Sequence, residues 1–271
     1  MIRAALAALL CALAAAVASG CGTDTVDPAT VAEAAEATSA AGGAKIELEG
    51  TVSARGQTVD ISGTGEMDEK GRSAMEMELP GGAGTMRQVF AGYVLYQQLP
   101  GIEEQLGKEW MKIDLVRAYR QVGVTLDLLQ QPGGQDPRQM LAQLRNASGA
   151  IEKLGTEEVQ GAETTHYKGD IDLRKQVDRV PAARRDEARR SVEKLIDISG
   201  TEGYPMEVWI DDEKLVRRMR MKLSINNPAF GGKIGMDVTM EMSGYGSPVH
   251  IAVPPDEQVK DLTDTVARQL K

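Results

Sequence analysis

Arg218-Met219-Arg220-Met221-Lys222-Leu223-Ser224-Ile225 is followed, one reversal later, by Ile234-Gly235-Met236-Asp237-Val238-Thr239-Met240-Glu241-Met242. Apolar side chains stand at nearly every second position. Successive side chains of a strand point to opposite faces, so each stretch reads as a strand with one oily face and one charged face. Asn226-Asn227-Pro228 and Gly231-Gly232 supply the turn between them. Upstream, Met206, Val208 and Ile210 alternate in the same way before the turn residues Asp211-Asp212-Glu213-Lys214. Three antiparallel strands in sequence predict a meander.

The same period runs through the first third of the chain. Ile46, Leu48 and Val52 alternate with Lys45, Glu47, Glu49 and Thr51; Val59 and Ile61 follow a turn near Arg55-Gly56-Gln57; Met75, Met77 and Leu79 follow Asp68-Glu69-Lys70-Gly71. Further strand candidates are residues 86–96 with a turn at Ala91-Gly92, residues 109–115, and the pair 151–159 and 164–173 around Gln160-Gly161. Helical spacing is confined to four short segments. Residues 31–41 are alanine-rich and end at Gly42-Gly43. A segment opening at Asp136-Pro137 carries Met140, Leu141 and Leu144. Residues 180–198 carry the stripe Ala188, Val192, Leu195 and Ile196, and read as a helix laid over the sheet. A C-terminal helix after Pro254-Pro255-Asp256 carries Val259, Leu262, Val266 and Leu270.

An antiparallel sheet with one apolar face must hide it against helices or curl around something else. Roughly ten or eleven strands against three or four short helices leave more apolar face than two-layer packing easily covers, so the chain reads as α+β, a long antiparallel sheet with a surplus apolar face. The face to be covered is carried by Ile46, Leu48, Met75, Met77, Met206, Val208, Met219, Met221, Leu223, Met236, Val238 and Met240. Methionine appears 13 times against two Phe, two Trp and six Tyr. Thioether side chains adapt their shape, and acyl chains ask for adaptable area rather than directed hydrogen bonds, so these twelve positions are the candidate lining of a lipid cavity. The alternative that the pattern leaves open is a core filled by its own side chains.

The N-terminus has the layout of an export signal. Arg3 precedes an uncharged run over residues 4–17, followed by Ala18-Ser19-Gly20-Cys21. The run is short for a membrane span. Small residues before a cysteine suit cleavage ahead of Cys21 and its acylation by a diacylglyceryl group, so the chain divides into a signal peptide (1–20), a lipidated cysteine with a polar tether (21–29) and one domain (30–271). Cleavage at an A-x-A-type secretory site nearby is the competing reading. Cys11 would leave with the signal, and acylation of Cys21 leaves no thiol for a disulfide, a nucleophile or a metal site.

Other chemistry is poorly represented. Acidic residues outnumber basic ones by 40 to 31, and no basic tract is interleaved with aromatics, so nucleic acid is not an expected partner. His166 and His250 are the two histidines, neither with ligand spacing around it; Asp170 and Asp172 share a strand face without a nucleophile or metal partner. Gly-x-Ser-x-Gly and a Walker-type glycine loop are absent. No metal or cofactor is expected, and no enzymatic activity. Arg184, Arg185, Arg189 and Arg190 could meet anionic headgroups, although a solvated helix face explains them more simply. Asn146-Ala147-Ser148 fits a glycosylation acceptor, but the bacterial character of the export signal gives it little weight.

The order of these elements resembles the LolA-like bacterial lipoproteins of the LppX/LprA/LprF/LprG type. The resemblance rests on the lipobox cysteine, the early helix running into Ala44-Lys45-Ile46-Glu47-Leu48-Glu49-Gly50, the segment Thr164-Thr165-His166-Tyr167-Lys168-Gly169, Pro205-Met206-Glu207-Val208-Trp209-Ile210-Asp211 with Leu215-Val216-Arg217, and the close from Tyr245-Gly246 to Ile251-Ala252-Val253-Pro254-Pro255. It spans nearly the whole mature chain. It implies a half-open barrel with helices over its concave side, a hydrophobic cavity for lipid or glycolipid acyl chains, attachment to the outer face of the plasma membrane through Cys21, and room for a transporter partner. The competing function is a structural or signalling lipoprotein with a self-filled core and a protein partner.

Overall fold

The predicted hairpins join into one continuous sheet in the computed structural model, which describes residues 24–26, 28–125, 151–227 and 232–270. In chain order the strands are β1 (Asp24–Val26), β2 (Gly43–Ala54), β3 (Gln57–Met67), β4 (Ser73–Glu78), β5 (Thr85–Ala91), β6 (Val94–Gln98), β7 (Trp110–Asp114), β8 (Ile151–Val159), β9 (Ala162–Asp172), β10 (Gly203–Asp211), β11 (Val216–Asn227), β12 (Gly232–Ser247) and β13 (Val259–Asp261). The helices are α1 (Pro28–Ala40), α2 (Ile102–Leu106), α3 (Leu115–Arg120), α4 (Arg185–Ser199) and α5 (Thr263–Gln269). The spatial order is β1-β8-β9-β10-β11-β12-β2-β3-β4-β5-β6-β7-β13. Every neighbouring pair is antiparallel except β13 with β7, and the outermost strands β1 and β13 do not pair with each other. The architecture is therefore the open, α+β sheet expected from the alternation.

Local chemistry sets the reversals. Arg55 and Gly56 join β2 to β3, and Gln160 and Gly161 join β8 to β9, each pair with positive φ at both central residues; such two-residue turns match the right-handed twist of a hairpin. Between β3 and β4, Asp68 is buried and gathers the turn around itself. Its Oδ1 accepts the backbone N–H groups of Lys70 and Arg72 at 2.9 Å each, and its Oδ2 accepts Arg72 Nε at 2.6 Å. Asp114 caps α3 by accepting the Arg117 N–H at 2.9 Å.

The helices show that the sheet is curled. Residues α4 and its neighbours lie between β9 and β10, whereas α3 follows β7 and α5 follows β13. Eight strand spacings separate β10 from β7, ~38 Å along the arc at ~4.8 Å each. Yet Ile198 and Leu195 of α4 pack against Val122, Val124 and Tyr119 after β7 and against Leu270 and Val266 at the C-terminus. Thr125 reinforces the contact, its N–H donating to Ser191 Oγ at 3.0 Å. A flat sheet would hold these groups apart; a half-open barrel brings them together, with α3, α4 and α5 as a strap from one half to the other.

Three expectations change. Asp24–Val26, read from sequence as part of the 21–29 tether, forms an edge strand on Ile151–Lys153 of β8. Val259, read as helical, belongs to β13 beside Trp110, and α5 starts only at Thr263. The α4 stripe packs mainly on Val177, Val180 and the residues of and around α3 and α5 rather than flat on strands. The helix expected from Asp136-Pro137 and the Asn146-Ala147-Ser148 site lie outside the described residues.

Candidate functional site

Register decides which face each side chain joins. One ladder runs Tyr167–Val208–Met219–Met240–Leu48–Gly63–Met77–Met86 across eight strands, and its neighbour runs Gly169–Met206–Met221–Val238–Gly50–Ile61. A third pairs Leu223 with Met236, Met236 with Val52, and Val52 with Val59, and Met242–Ile46–Gly65–Met75 forms a fourth. All twelve candidate residues thus point to one face, the face on which α1 lies. Because β2 and β12 are far apart in sequence, this convergence is a property of the tertiary pairing.

The face is not uniform. Val31, Ala34 and Ala35 of α1 pack with Ile46, Met75, Met206, Val208, Met219 and Met242 in one buried cluster, and Thr38 of α1 accepts the Val216 N–H at 3.1 Å. Met206, Val208 and Met219 are wholly inaccessible, and Ile46, Met75 and Val238 are buried. An alanine-rich helix lets its axis approach the sheet closely, so this part of the face is filled by the chain itself. The other six candidates, Leu48, Met77, Met221, Leu223, Met236 and Met240, are half-buried. Leu48, Met221 and Met240 touch the margin of the α1 cluster, whereas Met77, Leu223 and Met236 are not members of it. Around those three stand Val52, Ile61 and Ile234, half-buried, and Val59, 37% exposed. Their alternation in the sequence marks these four as strand residues, whereas their register against Leu223 and Met236 emerges only from the tertiary pairing.

Glycines shape the floor of this region. A Cβ on Gly50 would sit 2.3 Å from the Asp237 carbonyl oxygen, and one on Gly65 would sit 2.4 Å from the Ala74 oxygen and 2.7 Å from Met75 Cγ. Neighbouring strands come this close because no side chain intervenes. Tyr204, beside Ile171 in register, closes the buried end; burial pushes its phenol up to about 12, so it is neutral at any ordinary pH.

The opposite face is polar. Clefts of about 470 Å³ along Glu49, Thr51, Arg218, Arg220, Asp237 and Glu241 and of about 450 Å³ along Lys45, Glu47, Thr64, Glu66 and Glu76 are walled by charge and do not suit acyl chains. Arg218 Nε donates to Glu241 at 2.7 Å and Arg220 to Asp237 at 2.8 Å; the Arg220 guanidinium, helped by Lys222, holds the Asp237 carboxyl below the usual carboxylate range against its partial burial. His166 stacks on Trp209 with ring centroids 4.0 Å apart, its Nε2 lies 2.9 Å from Glu207, and Trp209 Nε1 donates to Glu157. This is a cross-strand clamp between β8, β9 and β10. Arg189 pairs with Asp186 within α4, Arg184 just ahead of the helix pairs with Glu187, and Arg185 donates to the Val180 carbonyl. Among the described residues, no group of three or more His, Cys, Asp or Glu side chains could hold a metal ion, and no helix is long and apolar enough to cross a membrane.

The sequence matches no protein-family model and no curated protein. Solved structures similar to the fold include the lipoprotein LppX of Mycobacterium tuberculosis, 16% identical over 84% of this chain and 100% of that one with a TM-score of 0.46. LprF of Mycobacterium bovis is 12% identical over 84% and 96%, with a TM-score of 0.43. A LolA superfamily protein of Nitrosomonas europaea is 9% identical over 85% and 96%, with a TM-score of 0.30.

Proposed function

We propose that this chain is an exported lipoprotein, anchored through a diacylglyceryl group on Cys21 at the outer face of the bacterial plasma membrane, that holds the acyl chains of a lipid or glycolipid without catalysis. The observation that carries the reading is the division of the inner face. Five of the twelve convergent apolar side chains belong to the α1 cluster, Leu48, Met221 and Met240 line its margin, and Leu223, Met236 and Met77 are half-buried outside it. Flexible thioethers and aliphatic groups over a glycine floor accept a chain-like ligand of variable length, and they offer no polar group that would fix a small hydrophilic one. A transporter partner working beside the protein would give the traffic its direction.

Native mass spectrometry of the domain from Gly22 onward, produced in a bacterial host, tests the reading. Bound lipid is the expected result, and a domain that stays empty after incubation with candidate phospholipids and glycolipids contradicts it. The packing of α1 into the sheet favours one second reading, a tethered structural or signalling lipoprotein whose interior is self-filled; an empty domain captured with a protein partner would support that alternative.

A further inference from the structure

The pinning of β1 shortens the leash of the domain. Counted from sequence, nine residues, 21–29, separate the fold from its anchor; with Asp24 paired to Lys153, Thr25 to Glu152 and Val26 to Ile151, only Gly22 and Thr23 stand in the sequence between Cys21 and the sheet. Three residue steps span at most ~10 Å. If Cys21 carries the anchor, as the proposed function holds, the β1–β8 edge cannot stand further than about that from the headgroups.

At that edge the sheet is irregular in a way that serves the contact. The pairing of β8 with β9 slips between Lys153, opposite Tyr167, and Gly155, opposite His166. Leu154 is the extra residue of this bulge. Gly155 takes a φ of +146 with open space around its Cα, a conformation that suits glycine and lets the bulge form. Bulges re-aim side chains, and here the result is an apolar one turned outward. Leu154 is 47% exposed, the most exposed of three large apolar side chains, with Val59 and Val253, that reach this state among the described residues. It follows directly on Lys153, the partner of Asp24, and Lys153 is itself exposed. An isobutyl group beside an ammonium is the pairing that sits comfortably at the boundary between acyl chains and phosphates.

We propose that the β1–β8 edge is the membrane-facing side of the domain, with Leu154 dipping into the bilayer interface and the short leash holding it there. The protein is then a side-on lodger at its own membrane rather than a domain swinging on a flexible tether. The far edge, β13, lies twelve strand spacings away in the sheet, ~58 Å around the arc.

The test uses the full chain, processed and lipidated in a bacterial host and reconstituted into phosphatidylcholine–phosphatidylglycerol vesicles containing a headgroup nitroxide lipid. Since Cys21 is acylated and Cys11 removed, Leu154→Cys or Lys260→Cys offers a single thiol for an environment-sensitive fluorophore. Quenching several-fold stronger at 154 than at 260 is expected, with a blue-shifted emission at 154 alone. An insert of about twelve Gly and Ser residues after Gly22 adds roughly 20 Å of root-mean-square reach, and should bring the quenching at 154 down to that at 260. Intact mass is measured first. A mature N-terminus without the diacylglyceryl group overturns the anchor and this pose with it; a lipidated protein with equal quenching at both positions, or with quenching indifferent to the insert, overturns the pose alone.

Discussion

The divided inner face makes an opposite pair of demands on two methionines in the same sheet. Met219 is wholly buried in the α1 cluster and Met236 is half-buried outside it. Truncating a buried Met to Ala removes its transfer free energy and leaves a cavity, about 3 kcal/mol within a range of roughly 2–5. Truncating a half-buried one forfeits a fraction of the transfer term with little cavity, about 1 kcal/mol. With a urea m value of about 3 kcal/mol/M for a chain of this size, Met219→Ala should lower the unfolding midpoint of the delipidated domain by about 1 M, and Met236→Ala by about 0.3 M. Lipid retention should rank the other way: Met236→Ala loses ligand, while Met219→Ala, once folded, keeps it. The assay is urea unfolding followed by circular dichroism, beside native mass spectrometry of the same samples. Equal midpoint shifts would refute the division of the face, and so would a larger shift for Met236→Ala.

Other consequences are local. Gly50→Ala sets a Cβ 2.3 Å from the Asp237 carbonyl, and should cost about 2–3 kcal/mol as strand β12 is pushed away; a neutral thermal melt would show that the close approach is not needed. Asp68→Ala strips a buried turn of three hydrogen bonds and is expected to cost about 2 kcal/mol, read as a lowered urea midpoint. The Asp237 carboxyl is held low by Arg220, so its contribution is present above the ordinary Asp value of about 4 and fades as pH falls through the depressed folded value. Being about one-third exposed, the pair is worth about 1 kcal/mol or less. The stability difference between wild type and Asp237→Asn should accordingly shrink below about pH 4, and a difference that grows on acidification would reverse the sign of the argument.

Much of this was legible because strand patterning is local. The alternation from Arg218 to Ile225 and from Ile234 to Met242 names two strands, their oily face and six of the twelve candidate residues; the same period around Ile46, Met75 and Met206 names the other six, and the register brings all of them to one side. Non-local pairing was not legible. Asp24–Val26 offers one apolar side chain in three, and its partner β8 lies more than a hundred residues away, so nothing in the sequence distinguishes it from a tether. Val259, Leu262, Val266 and Leu270 keep a helical spacing, yet Val259 is drawn into the sheet by parallel pairing with Trp110 and the Leu262 N–H is taken by the Lys112 carbonyl; tertiary hydrogen bonding overrides the period. The split between filled and half-buried methionines depends on where α1 comes to rest, and Met219 and Met236 occupy equivalent apolar positions in the alternation of their strands.

Photo-crosslinking with a phospholipid bearing a diazirine at mid-acyl chain probes the central claim most directly, because it reports which side chains touch the tail. Adducts are predicted on peptides carrying Met77, Leu223 and Met236 and not on those of α1 or on Met206. Adducts confined to the charged outer face, or spread evenly over both halves of the inner one, would contradict it.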